Sequence, residues 1–210
     1  MIVRPEIEAY VEALSTAAPE HLARLADETR ATQTAPQMLS GPVEGRLLET
    51  LVWVSQPKLV LEIGTYSSSA AQFMAYGLPE GGRVITCELD PDRAAFARSH
   101  IEAGPLADRI ELREGPALET IASLDEPLDL VFIDANKDGY VDYYEAVLPK
   151  LSQRGLIAAD NTLFSGEVLD APEGTARHIA QFNEHVAADP RTVQVMLSVR
   201  DGVTLIRRAG

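Results

Sequence analysis

The pattern of apolar positions divides the chain into two parts, and the first part is helical. Residues 6–28 carry apolar side chains at helical spacing, and Pro19 splits this stretch into two predicted helices because proline interrupts helical hydrogen bonding. Residues 29–41 are polar and rich in turn-forming residues, which predicts a loop. A third helix follows, with Pro42 in its first turn, and Trp53 within it is interpreted as a packing residue.

From residue 58 onwards, short apolar runs alternate with helical patterns, which predicts five β/α units. The predicted strands are 58–64, 83–88, 109–113, 128–134 and 156–160, and the predicted helices are 67–77, 91–103, 116–124, 140–151 and 173–188. Two last strands, 192–199 and 203–208, are separated by a short turn and must run antiparallel. The sequence therefore predicts a Rossmann-like α/β fold. Its sheet is open, seven-stranded and mostly parallel, with helices on both faces and a C-terminal antiparallel hairpin.

Two of the predicted strands end at carboxylates. Asp134 follows the fourth strand, with Lys137 three residues later, and the pair Asp160-Asn161 follows the fifth strand. Because the carboxyl ends of parallel strands lie along one rim of a sheet, these side chains are expected to converge there. Three oxygen donors suit a hard cation such as Mg²⁺, and the nearby amine could move a proton.

The turn after the first strand indicates a nucleoside-type ligand. It holds a single glycine, Gly64, where a dinucleotide fingerprint would place three, and it lacks a basic residue to meet a phosphate. Glu88, at the end of the second strand, is a carboxylate of the kind that accepts hydrogen bonds from ribose hydroxyls. S-adenosylmethionine is a ribose-bearing cofactor without phosphates, and its cationic groups suit an acidic rim. A plain α/β turn without a ligand is the alternative.

Composition and charge narrow the class of protein. The formal net charge of −14 disfavours binding to nucleic acid or to anionic membranes, because both carry negative charge themselves. The sequence has one cysteine, no apolar run of membrane-spanning length and no signal-like N-terminus, and a cytoplasmic location is therefore expected.

Five segments carry a resemblance to a known family. In chain order they are 61–66 (LEIGTY), 114–118 (EGPAL), 132–140 (FIDANKDGY), 159–166 (ADNTLFSG) and 201–205 (DGVTL). Together they resemble the cation-dependent, S-adenosylmethionine-dependent O-methyltransferases of the catechol and caffeoyl-CoA type, over about residues 36–208. The resemblance implies a small-molecule hydroxyl substrate and a homodimer.

The same resemblance implies roles for individual residues. Asp134, Asp160 and Asn161 would hold the divalent cation (Mg²⁺, Mn²⁺ or Ca²⁺), and Lys137 would be the catalytic base beside Asp134. The implied cofactor contacts are Leu39, Glu62, Gly64, Thr65, Ser68, Ser69, Glu88, Ala117 and Asn136. Phe164 stands where the family usually has an aromatic residue beside the substrate.

Three positions depart from the family pattern. Ser68 replaces a glycine, Ala70 replaces a serine that usually helps to bind the cofactor, and Asn136 stands where aspartate is common. Ser69 is the nearest hydroxyl that could substitute for the one missing at position 70.

The expected activity is metal-dependent methylation of a catechol-like or phenolic hydroxyl in a single domain over residues 42–210, preceded by a helical arm over residues 1–41. Three alternatives remain at this point. They are a cofactor-binding protein with weak or no activity, a methyltransferase acting on a natural-product hydroxyl, and a nicotinamide-dependent oxidoreductase, which the missing glycines disfavour.

Overall fold

A computed structural model of the protein describes residues 3–170 and 172–210. Residues 1, 2 and 171, which fall in the predicted arm and in the loop after the fifth strand, lie outside the described part. The α-helices in that part are α1 (Pro5–Leu14), α2 (Glu20–Thr32), α3 (Pro42–Ser55), α4 (Ser69–Gly77), α5 (Pro91–Glu102), α6 (Ala117–Ser123), α7 (Tyr140–Val147) and α8 (Gly174–Ala188). The strands are β1 (Leu59–Ile63), β2 (Arg83–Glu88), β3 (Ile110–Glu114), β4 (Leu128–Ile133), β5 (Leu151–Ala159), β6 (Thr192–Leu197) and β7 (Val203–Arg208).

These strands form one sheet in the order β3-β2-β1-β4-β5-β7-β6. The first five run parallel to one another, and β7 runs antiparallel to both β5 and β6. The predicted fold class is therefore confirmed. The strand order reverses between β1 and β4, and in sheets of this kind the crevice at such a reversal is where ligands bind.

The core lies on both faces of the sheet because the central strands are apolar on both sides. One cluster packs α6, α7 and α8 against the sheet, with Tyr140 and Phe182 stacked edge to face at a centroid separation of 5.3 Å. The other packs α3 and α4 against the opposite face. A third, small cluster joins Leu22 and Leu25 of α2 to Phe73 of α4, which attaches the N-terminal helices to the main body. The proposed boundary at residue 41 stays a prediction.

Two expectations were wrong. Strand β5 begins at Leu151, five residues before the predicted start, because Leu151 pairs with Leu128 across a bulge in the ladder to β4. Ser152 to Arg154 are polar, so the pattern of apolar positions does not reveal this extension. Trp53 was interpreted as a packing residue, but 67% of its surface is exposed, so it does not belong to the core of the chain.

No helix within residues 3–170 and 172–210 is both long and apolar enough to cross a membrane.

Candidate active site

The strand register brings the carboxylates of the fourth and fifth strands together. Ile63 pairs with Ile133, and Ile133 pairs with Ala159, so the three strands end level with one another. The ladder continues one step beyond the strands, because the Asp134 amide donates to the Ile63 carbonyl at 2.9 Å and the Asp160 amide donates to the Ile133 carbonyl at 3.0 Å. Both carboxylates are therefore fixed through their own backbones.

Gly64 brings the turn after β1 into contact with Asp134. Its φ is +100°, a conformation that residues with a side chain rarely adopt. A Cβ at this position would lie only 2.0 Å from the Asp134 carbonyl oxygen. Glycine is thus required both by the backbone conformation and by the space, and the two turns touch main chain to main chain.

Glu62 supplies a buried carboxylate with a free oxygen. Its Oε2 accepts a hydrogen bond from the Thr86 hydroxyl, while its Oε1 has no partner. A small cavity is lined by Glu62, Gly64, Thr65 and Asp134 among others. Burial raises the pKa of the Glu62 carboxyl to about 8, against the opposing effect of the Thr86 hydrogen bond. A buried carboxyl with an unused acceptor at a cavity wall is suited to an incoming cationic group.

Glu88 is held by backbone amides at the end of β2. Its Oε2 accepts from the Tyr66 amide at 2.8 Å, and its Oε1 accepts from the amides of Leu89 and Asp90, both at 3.0 Å. A carboxylate has about four acceptor positions, so three amides leave about one for a ligand hydroxyl. The Tyr66 hydroxyl in turn donates to the Ala35 carbonyl at 2.9 Å. This hydrogen bond holds the segment before α3 against the turn that follows β1.

The other predicted cofactor residues differ in how they face the cavity. Ser69 lines the small cavity, and Ala117 is a buried residue at the start of α6. Leu39 is buried, and its neighbours Met38 and Ser40 line the cavity instead.

The side chains of Ser68 and Asn136 form hydrogen bonds with neighbouring residues. Ser68 is fully buried, and its backbone lies in the left-handed region at φ 72°. Its hydroxyl accepts a hydrogen bond from the side-chain amide of Gln72 at 3.0 Å. The Asn136 amide group donates to Asp138 at 2.6 Å and accepts from the Tyr143 hydroxyl at 2.6 Å. Neither residue is part of the cavity lining.

Lys137 is held in place beside Asp134. Its Nζ lies 3.0 Å from Asp134 Oδ1 and 2.6 Å from the Tyr140 hydroxyl oxygen. Tyr140 is fully buried, and its hydroxyl also lies 3.2 Å from the Asp160 carbonyl oxygen, so it bridges the ends of β4 and β5. The lysine side chain is only 13% exposed, which keeps its amine at the rim rather than in bulk water.

The sequence analysis missed Glu44, which belongs to the same cluster. It lies in the first turn of α3, is 2% exposed, and interacts electrostatically with Arg200, Asp134 and Lys137. A signal was present in the sequence, because Glu44 precedes Leu48 and Val52 at intervals of four and so lies on the buried stripe of the helix. A carboxylate on that stripe needs a polar partner inside the protein.

Glu44 and Asp160 each retain an oxygen without a hydrogen-bond partner, namely Glu44 Oε1 and Asp160 Oδ1. Burial raises the pKa of both carboxyls, and each is raised further by neighbouring negative charges, which for Glu44 means Asp134. Within the described residues, no three Asp, Glu, His or Cys side chains form a ready-made cation site. The predicted donor set therefore depends on the amide of Asn161.

A larger cavity of about 700 Å³ opens beside this cluster. Asn161 and Arg200 line it from the sheet side, and Ile7, Glu8 and Val11 of α1 line it from the other side. Phe164 was expected beside the substrate, but it packs against the core cluster around α7 and α8 and does not line this cavity.

Known structures share the whole architecture. A Podospora anserina methyltransferase, SAH-bound, superposes with a TM-score of 0.91 at 30% identity and covers 98% of this chain and 94% of its own. An O-methyltransferase from Bacillus cereus in complex with SAH superposes with a TM-score of 0.88 at 30% identity, covering 97% of both chains. The fold is therefore that of the Rossmann-like methyltransferases.

Sequence relatives define the family within that class. The model of the O-methyltransferase family matches residues 12–209. A catechol O-methyltransferase from Niastella koreensis is 36% identical over 183 residues, which span 81% of this chain and 82% of the relative. Caffeoyl-CoA O-methyltransferase 5 of Nicotiana tabacum is 32% identical over 185 residues, which span 81% of this chain and 77% of the relative.

The chain belongs to the O-methyltransferase family, of the caffeoyl-CoA and catechol type. The predicted enzyme class, an S-adenosylmethionine-dependent O-methyltransferase, is confirmed. The alternative of a nicotinamide-dependent oxidoreductase was wrong.

Replacing Gly64 with alanine should separate the β1 turn from Asp134. The added methyl group meets the Asp134 carbonyl at 2.0 Å in a left-handed backbone, so we expect a loss of about 2–4 kcal/mol in the free energy of unfolding. Urea unfolding measures this loss. Gly81→Ala is the matched control, because Gly81 has φ +74° but open space around its Cβ position. Equal losses in the two variants would contradict the role of the close approach.

Proposed function

We propose that this protein transfers the methyl group of S-adenosylmethionine to a hydroxyl of a small catechol-like or phenolic substrate, with the help of a divalent cation. The observation that carries the proposal is a pair of buried carboxylate oxygens without hydrogen-bond partners, which are Asp160 Oδ1 at the end of β5 and Glu44 Oε1, which reaches the same cluster from α3. These oxygens lie beside Asp134, which also borders the small cavity under the β1 turn. Cofactor and cation would thus bind on either side of Asp134.

The residues around the small cavity suit the methionine end of the cofactor. The free Oε1 of Glu62 would accept a hydrogen bond from the cationic amino group, and Gly64, Thr65 and Ser69 would line its binding site. The remaining acceptor position of Glu88 would take a ribose hydroxyl. Ala117 would lie near the adenine, as the family resemblance implies.

The charge of the rim fits a divalent cation. Three acidic side chains, Asp134, Asp160 and Glu44, face two basic ones, Lys137 and Arg200, so the buried cluster has one more acidic group than basic groups. Asp134, Asp160 and Asn161 would hold the ion through oxygen atoms, the ligands that hard cations prefer. When bound, the ion would lower the pKa of a coordinated hydroxyl and orient the substrate.

Lys137 is the residue that would accept the hydroxyl proton. Its contacts with Asp134 and Tyr140 hold the amine at the rim, close to the proposed position of the substrate oxygen. The oxygen would then form a bond to the methyl carbon as the bond from that carbon to the sulfonium sulfur breaks. The products are the methyl ether and S-adenosylhomocysteine, and the proton remains on the lysine.

The larger cavity favours a small phenol over a coenzyme A thioester. Its walls carry Glu8, Glu12 and Asp201, and the guanidinium of Arg200 is already paired with Glu44. A phosphate-bearing substrate would meet carboxylates there, and the whole protein carries a net charge of −14. A neutral or cationic catechol avoids this repulsion. The homodimer and the cytoplasmic location stay predictions.

The proposal is tested with the purified protein, S-adenosylmethionine, Mg²⁺ and catechol. We expect a methylated catechol as the product, and we expect EDTA to abolish its formation and added Mg²⁺ to restore it. Caffeoyl-CoA at the same concentration should be the poorer substrate. Equal turnover of catechol in EDTA would exclude the metal mechanism, and cofactor binding without product from any phenol would favour a non-catalytic binding protein.

Lys137→Ala should lower kcat by about 10²- to 10⁴-fold, the range expected for the loss of a general base. Binding of S-adenosylhomocysteine, measured by calorimetry, should change little, since Lys137 does not line the small cavity. Lys58→Ala serves as the control because Lys58 is an exposed residue directly before the amino-terminal end of β1, whereas the site lies at the carboxyl ends of the strands. A parallel loss of turnover and cofactor affinity in Lys137→Ala would argue against the base role.

Cofactor binding should release a proton from Glu62. The carboxyl is mostly protonated below its pKa of about 8 in the free protein, and a bound ammonium group favours the ionised form. Affinity for S-adenosylhomocysteine should therefore rise with pH between about pH 6 and about pH 8, by at most about tenfold per pH unit. Calorimetry in buffers of different ionisation enthalpy counts the proton. Glu62→Gln should bind more weakly and lose this contribution, and an unchanged pH profile in that variant would refute the assignment.

A further inference from the structure

Glu44 is a buried carboxylate of the cluster that is neither one of the three proposed ligands of the ion nor the proposed base. It is 2% exposed, and it reaches the rim from α3 rather than from a strand end. Its Oε2 lies 3.3 Å from Arg200 Nε, and its Oε1 has no partner. Asp160 beside it also has an unpartnered oxygen, Oδ1, so two free acceptors lie in one buried cluster. Buried acceptors without a partner are commonly satisfied by a bound water or ion.

Arg200 reaches Glu44 through a gap that glycine provides. Arg200 lies in the turn between β6 and β7 with φ +48°, and its side chain crosses the start of α3. A Cβ at Gly41, the residue before α3, would lie 2.0 Å from Arg200 Nη1. Arg200 also lines the cavity of about 700 Å³. Arg200 thus connects the carboxylate cluster to the wall of that cavity.

Two of the three acidic side chains in the cluster have a basic partner, and the third has none in the described part of the chain. Asp134 pairs with Lys137 at 3.0 Å, and Glu44 pairs with Arg200 at 3.3 Å. Asp160 has no basic partner within ion-pair distance in the described part of the chain. A divalent cation near Asp160 would be attracted by the carboxylate of Glu44, whose charge is partly neutralised by its ion pair with Arg200.

We propose that Glu44 is a positioning carboxylate of the cation site, which strengthens binding of the ion without being one of its three predicted ligands, and that Arg200 competes with the ion for Glu44. The inference rests on the proposed function, because it presupposes a cation held by Asp134, Asp160 and Asn161. It assigns opposite effects to two residues that contact each other. Carboxylates that flank the ligands of an ion commonly change its affinity by about 10- to 100-fold.

Opposite changes in ion affinity on substitution of Glu44 and of Arg200 distinguish an electrostatic role of these residues from a structural one. If Glu44 and Arg200 only held α3 and the β6–β7 turn together, removing either one would loosen the site and weaken ion binding. If they act through charge, loss of Glu44 weakens binding, and loss of Arg200 frees Glu44 and strengthens it. The effect of Arg200 should also depend on the presence of Glu44.

The experiment measures Mn²⁺ binding directly, by paramagnetic resonance of the free ion, without cofactor or substrate. We expect Glu44→Gln to weaken binding by about 10- to 100-fold. We expect Arg200→Gln to strengthen it by about fivefold, and the double variant to bind as weakly as Glu44→Gln. Glu49→Gln is the matched control, because Glu49 lies in the same helix and pairs with Arg46 away from the cluster. It should bind Mn²⁺ as the unchanged protein does.

Three results would overturn the inference. Weaker binding in both single variants would show a structural contact only. Unchanged binding in Glu44→Gln would remove Glu44 from the site. An equal loss in Glu49→Gln would show that only the overall charge matters. Failure of the unchanged protein to bind Mn²⁺ is a different result, since it would overturn the cation site of the proposed function as well. Circular dichroism of each variant confirms that it is folded.

Discussion

The backbone hydrogen bonds that continue the sheet past its strand ends are the constraint on which the site depends. They join Ile63 to Asp134 and Ile133 to Asp160, so three successive strands end at the same height. Side chains that are remote in sequence then lie together without any long loop to hold them. Because the central strands are buried on both faces, a slip in register would cost much of the core, and the core therefore stabilises the alignment of the site.

This arrangement places several carboxylates where water is scarce. Glu62, Glu44 and Asp160 are all nearly or fully buried, and burial raises the pKa of each. Such groups cost stability unless a cation or a proton compensates them. The fold therefore has buried carboxyl groups that a positive charge or a proton must compensate at two neighbouring places, one under the β1 turn and one at the ends of β4 and β5. A cationic cofactor and a divalent ion are the two ligands that would meet that demand.

Most of the scaffold could be predicted from the sequence because its signals are local. Apolar runs bounded by turns gave the parallel strands, and the strand-end positions of Asp134 and Asp160 followed from them. The start of β5 could not be predicted, since the polar stretch Ser152 to Arg154 interrupts the apolar pattern where the ladder to β4 is irregular. Glu44 was missed for a related reason. Its neighbours come from β4, β5 and the turn at Arg200, and no local pattern reports a contact across such separations.

The predicted cofactor residues show the same division. The position of Glu62 and Gly64 at the small cavity follows from the short turn after β1, whose geometry is local, and their cofactor contacts stay predictions. Ser68 lies in the same turn, but its hydroxyl pairs with Gln72, and Asn136 pairs with Asp138 and Tyr143. A resemblance between sequences places a residue in a turn, but it does not tell which way the side chain faces. Competing local hydrogen bonds decide that direction.

The contact between Gly64 and Asp134 has a consequence for how such an enzyme can diversify. Only main-chain atoms separate the β1 turn from the carbonyl of Asp134, so no rotamer sets the spacing between them. The walls of the large cavity come instead from α1, the segment before α3 and the turn around Arg200. Substitutions in those walls would reshape the large cavity, which is the proposed acceptor site, and would leave the spacing between the β1 turn and Asp134 unchanged. The chemistry and the choice of acceptor are thereby open to separate evolutionary change.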